Sequence, residues 1–185
     1  MHSAGMGAGD SRLVVMSGMR GRLSQTSARF MPLADLRRLR GSEQVAAVCY
    51  RVRKNGIEFL LVQTRGGRWT FPKGSAEPGL THAQAAALEA FEEAGVHGRM
   101  EELSFTRYVR RRRGEGRESV IETVVNAFLC EVLWLDSPQE ADRNPTWFSV
   151  EKAKRRLRED RTTDFAAEFA RVVDLAVARI QRAHR

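Results

Sequence analysis

Apolar and β-branched residues are concentrated in two neighbouring stretches of the chain, residues 44–53 and 57–65. Runs of this kind are typical of β-strands. They flank Lys54-Asn55-Gly56, whose Asn-Gly step is a strong signal for a tight hairpin turn. A short extended piece that ends in a loop is predicted at 68–74, and further strands at 99–110, 119–134 and 146–149. A basic loop is predicted between the strands at 99–110 and 119–134.

Other stretches have the features of helices. Thr81-His82-Ala83-Gln84 fits a capping box, which predicts a helix that starts there and stops at Gly95. Ser149 and Asp164 are the predicted N-caps of two later helices, at 150–159 and from 164 to about 182. The last helix carries an apolar stripe, for which core packing and a dimer contact are both open: Phe165, Phe169, Val172, Val173, Ala176 and Ile180.

The order of these elements predicts an α/β or α+β domain with a mixed sheet. We divide the chain into three parts. Residues 1–43 are rich in Gly, Ser, Met and Arg without a sustained period, which predicts a mobile basic arm. Residues 44–160 form the predicted domain, and residues 161–185 a C-terminal helix that packs on the domain or on a dimer partner. A monomer and a homodimer both remain open.

Composition changes this picture little. The chain has 185 residues, of which 42% are hydrophobic and 29% charged, as in an ordinary globular protein. It has no apolar run of about 18 residues, so no membrane span is expected. No signal-peptide core is visible, and Cys49 and Cys130 are interpreted as buried free thiols. A cytoplasmic location is therefore expected.

The charge is more informative. A formal net charge of +8 favours polyanionic partners, such as nucleotides, polyphosphates or nucleic acids, without choosing among them. We expect a polyphosphorylated small molecule, with nucleic acid as the less favoured partner.

Three glutamates stand out in the first helix, in the stretch EAFEEAG at residues 89–95. Because residues three and four apart share a helix face, Glu89, Glu92 and Glu93 crowd one patch and repel one another. Removing one of these charges would relieve the repulsion. Nearby basic side chains or a bound cation could compensate for it. Clustered carboxylate oxygens suit Mg²⁺, with Mn²⁺ as an alternative.

The segment GSAEPGLTHAQAAALEAFEEAGV, residues 74–96, resembles the Nudix box. The residues that stand at the positions of that motif are Gly74, Glu89, Glu92, Glu93, Gly95 and Val96. The resemblance implies a Nudix fold with helices on both sides of a mixed sheet. It also implies that Glu89 and Glu93 bind the metal, that Gly74 lends a carbonyl and that Glu92 is the general base. Glu118 and Glu122 are candidates for an additional acid.

Two positions depart from the motif. Leu80 stands where the box has its first glutamate, and Leu88 where it has its arginine. Replacing both members of an ion pair by apolar groups can be neutral or stabilising. We therefore expect a leucine contact in place of a salt bridge. The alternative is that an arginine which helped to orient the glutamates is gone, with a loss of activity.

Several basic residues are candidates for binding phosphate groups, because guanidinium groups match phosphate oxygens. Arg65, Arg68 and Lys73 lie next to the box in sequence, and Arg51 lies in the first hairpin. The predicted basic loop adds Arg110 and Arg111, followed by Arg112, Arg113 and Arg117. A solvated turn is the alternative reading of that loop.

The resemblance extends from about residue 44 to 159, and PTWFSVEKAKRRL at 145–157 looks like the final strand and helix of diphosphoinositol and dinucleoside polyphosphate hydrolases. It implies a metal-dependent Nudix hydrolase that cleaves a diphosphate bond in a substrate of that kind. The alternative is a catalytically silent module of the same fold that binds a nucleotide or RNA.

Overall fold

A computed structural model of the protein describes residues 43–113 and 120–185, with the backbone alone at 111–113, 120 and 121. The predicted arm, residues 1–43, lies outside these ranges except for its last residue. Arg117 and Glu118 also lie outside them.

Eight strands of the described chain form one mixed sheet. Its continuous path has the order β3-β2-β1-β7-β5, while β4 pairs with β1, β6 with β7 and β8 with β2. The central pair β1 and β7 is parallel, and the other pairs are antiparallel. The strands are β1 Glu43–Arg53, β2 Gly56–Gln63, β3 Trp69–Thr70, β4 Lys73–Ser75, β5 Val96–Met100, β6 Thr106–Arg113, β7 Val120–Leu135 and β8 Thr146–Ser149.

Helices cover both faces of this sheet, as predicted. On one face, helix α1 (His82–Ala94) packs its alanines against Val45, Ala47 and Cys49 of β1. On the other, helices α2 (Val150–Arg158) and α3 (Thr163–Ala183) pack against Ala46 and Val48 of the same strand. Alternate residues of β1 therefore belong to two separate cores, because successive side chains of a strand point to opposite faces.

The local signals for the first hairpin and the first helix are confirmed. β1 and β2 are joined by Lys54 and Asn55, and Gly56 has a φ of 112°. At the helix start, Gln84 N donates to Thr81 Oγ1 at 3.2 Å while Thr81 N donates to Gln84 Oε1 at 2.9 Å. At its end Gly95 is left-handed, with its N–H donating to Phe91 O at 2.8 Å.

The prediction of one strand at 99–110, followed by a basic loop from 110, is wrong. Two strands pair in succession with the long strand β7: β5 ends at Met100, opposite Cys130, and β6 begins at Thr106, opposite Ala127. The five intervening residues, 101–105, stand against only two residues of β7, and the N–H groups of Glu101 and Phe105 still donate to β7. Arg110 and its three successors belong to β6, because the hydrogen-bonded ladder with β7 continues to Arg113.

The starts of the later helices differ in detail from the prediction. Ser149 occupies the N-cap position of α2, but its side chain makes no capping hydrogen bond. Thr162, not Asp164, is the N-cap of α3, and Asp164 lies in the first turn. A carboxylate there still interacts favourably with the positive end of the helix dipole.

The C-terminal helix packs on the domain itself. Its residues Phe169, Val172, Val173, Ala176 and Ile180 are buried in the same core as Phe71 and Tyr108, and Phe165 is partly buried against it. Both cysteines are buried free thiols, as predicted. Among the described helices, none is both long and apolar enough to cross a membrane.

Candidate active site

Gly74 and Glu89 form the centre of the site. Strand β4 pairs with the start of β1, where Val45 lies opposite Gly74, and α1 lies over this pair. A Cβ atom built on Gly74 would overlap both oxygens and the carboxyl carbon of Glu89. The carboxylate therefore packs directly on the backbone of Gly74, a place that only glycine leaves open.

Glu93 lies one turn further along α1 and is more deeply buried, at 1% exposure. The backbone N–H of Lys73 donates to its Oε2 at 3.1 Å. Its Oε1 is 2.7 Å from Nη2 of Arg143. Burial of a carboxylate needs such partners, because an unpaired charge inside a protein is costly. Both oxygens of Glu93 are thus held by protein donors.

The charges at the site perturb one another. Burial, reinforced by the negative charges of Glu93 and Glu92, raises the pKa of Glu89 from 4.5 to about 7. Burial also raises the pKa of Glu93, although the positive charges of Lys73 and Arg143 oppose this. The pKa of the Lys73 ammonium is lowered by burial and by the nearby charge of Arg110. Perturbed groups that cluster in this way are typical of functional sites.

A fourth glutamate, Glu140, joins the three of α1 from a distant part of the chain. Glu140 N donates to the carbonyl oxygen of Glu92 at 3.0 Å, where the segment after β7 crosses the end of α1. The charge of Glu140 helps to raise the pKa values of Glu89 and Glu93, and Arg143 contacts both the Glu140 and the Glu93 carboxylates. Glu92 itself is half-buried on the same helix.

The residues present fit a hard divalent cation. They offer carboxylate oxygens from neighbouring turns of one helix, which are ligands that such ions prefer. The Glu89 carboxylate packs against the bare backbone of Gly74. Burial and repulsion by the other glutamates raise the pKa of Glu89. In the described ranges, no group of three or more His, Cys, Asp or Glu side chains is already gathered as a cation site.

Lys73 and Arg110 are the predicted phosphate-binding residues that the fold brings to the glutamates. Arg110 reaches back to β1, where its Nη1 donates to Gln44 Oε1 at 3.4 Å. Gln44 pairs with Ser75, the neighbour of Gly74. Arg111 follows in β6, but its side chain is outside the described part of the structure.

Arg51, another predicted phosphate-binding residue, lies at the far end of β1. Arg51 is about 20 Å along β1 from Val45, at roughly 3.3 Å per residue. There it binds Glu58 through Nε at 2.7 Å and stacks over Trp147 at 4.1 Å from the ring centre. Arg65 and Arg68 are exposed in the turn before β3.

The two candidates for an additional acid stay predictions. Glu118 is outside the described residues, and Glu122 is an exposed residue of β7 paired in register with Arg111. Leu80 is 37% exposed and Leu88 is half-buried, so their contact stays a prediction.

Sequence reasoning missed Glu140 and Arg143. Both come from the segment around a short 3₁₀ turn, Ala141–Arg143, about 50 residues after the glutamates. No local motif marks this segment, and in sequence its charged residues resemble those of an ordinary solvated loop. Only the path of the chain after β7 brings them to α1.

A family model of the NUDIX domain matches residues 42–170. The chain is 48% identical over 48 residues to a bis(5'-nucleosyl)-tetraphosphatase [asymmetrical] of Sus scrofa, and the matched region covers 25% of this chain and 33% of that protein. It is 31% identical over 112 residues to diphosphoinositol polyphosphate phosphohydrolase 3-beta of Bos taurus, and the matched region covers 60% of this chain and 66% of that protein. The chain thus spans about a third and just under two thirds of the length of these curated relatives.

The fold also resembles that of solved structures. The crystal structure of C. elegans Ap4A hydrolase matches 75% of this chain and 98% of its own, with a TM-score of 0.53 and 24% sequence identity. At this identity the likeness supports the fold alone. It agrees with the mixed sheet between helices that the sequence predicts.

Proposed function

Because this chain belongs to the NUDIX family, we propose that it is a metal-dependent hydrolase. It cleaves a phosphoanhydride bond in a polyphosphorylated small molecule. One observation carries the proposal: the Glu89 carboxylate packs on the bare backbone of Gly74 beside the buried Glu93. Crowding partly buried carboxylates on one helix face has a cost, since each is desolvated and repels the others.

The cation of the proposal is Mg²⁺, with Mn²⁺ as the alternative. Glu89 and Glu93 would hold it, together with the carbonyl oxygen of Gly74. When bound, such an ion polarises phosphoryl oxygens and favours the ionised form of a bound water. Mg²⁺ sites commonly combine a few protein carboxylates with phosphate oxygens of the substrate.

The chain's own groups supply the proton transfer and the binding of phosphate. A water oxygen attacks one phosphorus and forms a new P–O bond, while the bridging P–O bond on that phosphorus breaks. Glu92 takes the proton from the water, and the bridging oxygen leaves with the second phosphate group. Lys73 neutralises the charge that accumulates on the phosphate oxygens, and Arg110 binds phosphate groups of the substrate.

The substrate class is a dinucleoside polyphosphate or a diphosphoinositol polyphosphate. The names of the pig and cattle relatives support it. The net charge of +8 and the position of Arg110 beside Lys73 support a strongly anionic substrate as well. The cytoplasmic location expected from the sequence stays a prediction.

Turnover can be tested with a panel that contains diadenosine tetraphosphate, a diphosphoinositol polyphosphate and ADP-ribose, each with Mg²⁺, with Mn²⁺ and with chelator. We expect metal-dependent cleavage, with incorporation of one oxygen from ¹⁸O-labelled water into a phosphate product. The matched variants are Glu92→Gln and the exposed Glu102→Gln, of which only the first should lose activity. Metal-independent cleavage, or full activity of Glu92→Gln, would contradict the assignment.

The second candidate function is a silent module that binds a nucleotide or RNA. Leu80 and Leu88 favour it, because they replace two polar positions of the motif. The same panel decides between the two: binding of a nucleotide without cleavage under any metal condition would support the silent module.

A further inference from the structure

We infer that Arg143 is a positioning residue for Glu93. Arg143 lies in the segment after β7, and it orients the glutamate in place of the motif's arginine, whose position is occupied by Leu88 in this chain. This inference rests on the proposed function, since it concerns how the metal-binding carboxylate is oriented. It assigns a role to a residue that lies outside the box.

Arg143 joins two carboxylates through different nitrogens of its guanidinium. Nη2 is 2.7 Å from Glu93 Oε1, and Nε is 2.6 Å from Glu140 Oε2. The side chains of Arg143 and Glu93 are only 18% and 2% exposed, so little solvent screens their contact. The planar guanidinium has its donors in a fixed arrangement, so binding Glu140 also fixes the direction of the bond to Glu93.

The segment that carries Arg143 is tied to the domain on two sides. Glu140 N donates to Glu92 O at 3.0 Å, which joins the segment to α1. Asn144 Nδ2 donates to Gln63 Oε1 at 3.1 Å, which joins it to β2. Asn144 has a left-handed φ of 47°, a conformation that asparagine tolerates better than most residues. Arg143 therefore approaches Glu93 from an anchored backbone.

These contacts fix the plane of the Glu93 carboxylate. Lys73 N holds Oε2 and Arg143 holds Oε1, so rotation of the carboxylate would break one bond or the other. Each carboxylate oxygen has two lone-pair sites, which leaves a site on each oxygen for a cation. Glu140 balances the charge of Arg143, so the three side chains together keep a net negative charge toward a divalent ion.

Binding of Mn²⁺, followed by electron paramagnetic resonance of the free ion, tests this role apart from turnover. We expect Arg143→Ala to weaken Mn²⁺ binding on the order of tenfold, as is usual for residues that orient metal ligands. The Mn²⁺ affinity of Arg143→Lys should fall between those of this variant and wild type, because lysine keeps the positive charge but lacks the planar set of donors that binds both glutamates. The matched control is Arg179→Ala, which removes an exposed arginine that binds Glu101 at 2.7 Å. Its Mn²⁺ binding should not change.

A double-mutant cycle with Glu93→Gln shows whether Arg143 acts through Glu93. In the Glu93→Gln background, Arg143→Ala should weaken Mn²⁺ binding by less than twofold. An equal loss in both backgrounds, or unchanged Mn²⁺ affinity in Arg143→Ala, would overturn the inference. If Arg143→Ala does not fold, unchanged affinity in Arg143→Lys would overturn it.

The outcome for Arg143 is separable from the outcome for the proposed function. Loss of Mn²⁺ affinity in the Arg143 variants, with no turnover by wild type, would support the inference and reject the hydrolase. Turnover by wild type, with full Mn²⁺ affinity in Arg143→Ala, would support the hydrolase and reject the inference about Arg143. Absence of Mn²⁺ binding by wild type would reject both.

Discussion

Gly74 and Glu89 come from different elements, yet no side-chain atom fits between them: a Cβ on Gly74 would overlap the Glu89 carboxylate. We expect Gly74→Ala to displace this carboxylate and reduce metal-dependent turnover at least tenfold. Stability should change by less than about 1 kcal/mol, because the group displaced is the end of a flexible side chain.

The control for this variant is Gly66→Ala. A Cβ at Gly66 would meet only the Thr64 hydroxyl, at 3.9 Å, so both turnover and melting temperature should stay at the wild-type level. Initial rates with Mg²⁺ and thermal unfolding of the two variants give the comparison. Equal activity of Gly74→Ala and Gly66→Ala would show that the Gly74 contact is not needed.

Glu93→Gln should abolish turnover and also lower the stability of the metal-free protein. Crowding of like charges, considered alone, predicts a gain in stability from this change. The structure opposes that expectation, because Arg143 is 2.7 Å from Glu93 and would lose the more buried of its two carboxylate partners. We expect a loss of about 1–3 kcal/mol, measured by urea unfolding. A melting temperature equal to or above that of wild type would contradict it.

The stability of the metal-free protein should depend on the ionisation of Glu89. Burial and the neighbouring glutamates raise its pKa from 4.5 to about 7. Since the folded state holds this proton more tightly than the unfolded state, Glu89 lowers stability as pH rises from about 4.5 to 7, with no further change above.

Glu89→Gln should remove this part of the pH dependence. We expect the variant to be more stable than wild type at pH ~7.5 by about 1–2 kcal/mol, less than the full linkage value because the side chain is partly solvated, and nearly equal near pH ~4.5. Urea unfolding at both pH values, with Glu102→Gln as the control, measures the difference. A constant difference across the range would assign the effect to packing.

Arg110 should discriminate substrates by charge. Arg110→Ala is expected to raise KM most for the substrate with the most phosphates, with kcat nearly unchanged, which is the sign of lost uniform binding. The effect should shrink with added salt, because exposed charges are screened. Arg99→Ala is the control, since Arg99 is 71% exposed and pairs with Glu131. An equal rise in KM for all substrates would reject charge recognition by Arg110.

The sequence by itself determined the elements that depend on near neighbours in the chain. The Asn-Gly turn, the capping box of Thr81 and Gln84, and the glycine stop at Gly95 are decided by contacts within about four residues. The shared face of Glu89, Glu92 and Glu93 follows from helix geometry in the same way. The motif over residues 74–96 then identified the family.

Only the tertiary structure decided what stands opposite these residues. The extension of β6 to Arg113 depends on pairing with β7, and the contact of Arg143 with Glu93 joins positions about 50 residues apart. Such contacts are set by the path of the chain through the fold, which no local pattern encodes. For the same reason, the sequence showed glutamates that repel one another, whereas the folded protein places a guanidinium against the most buried of them.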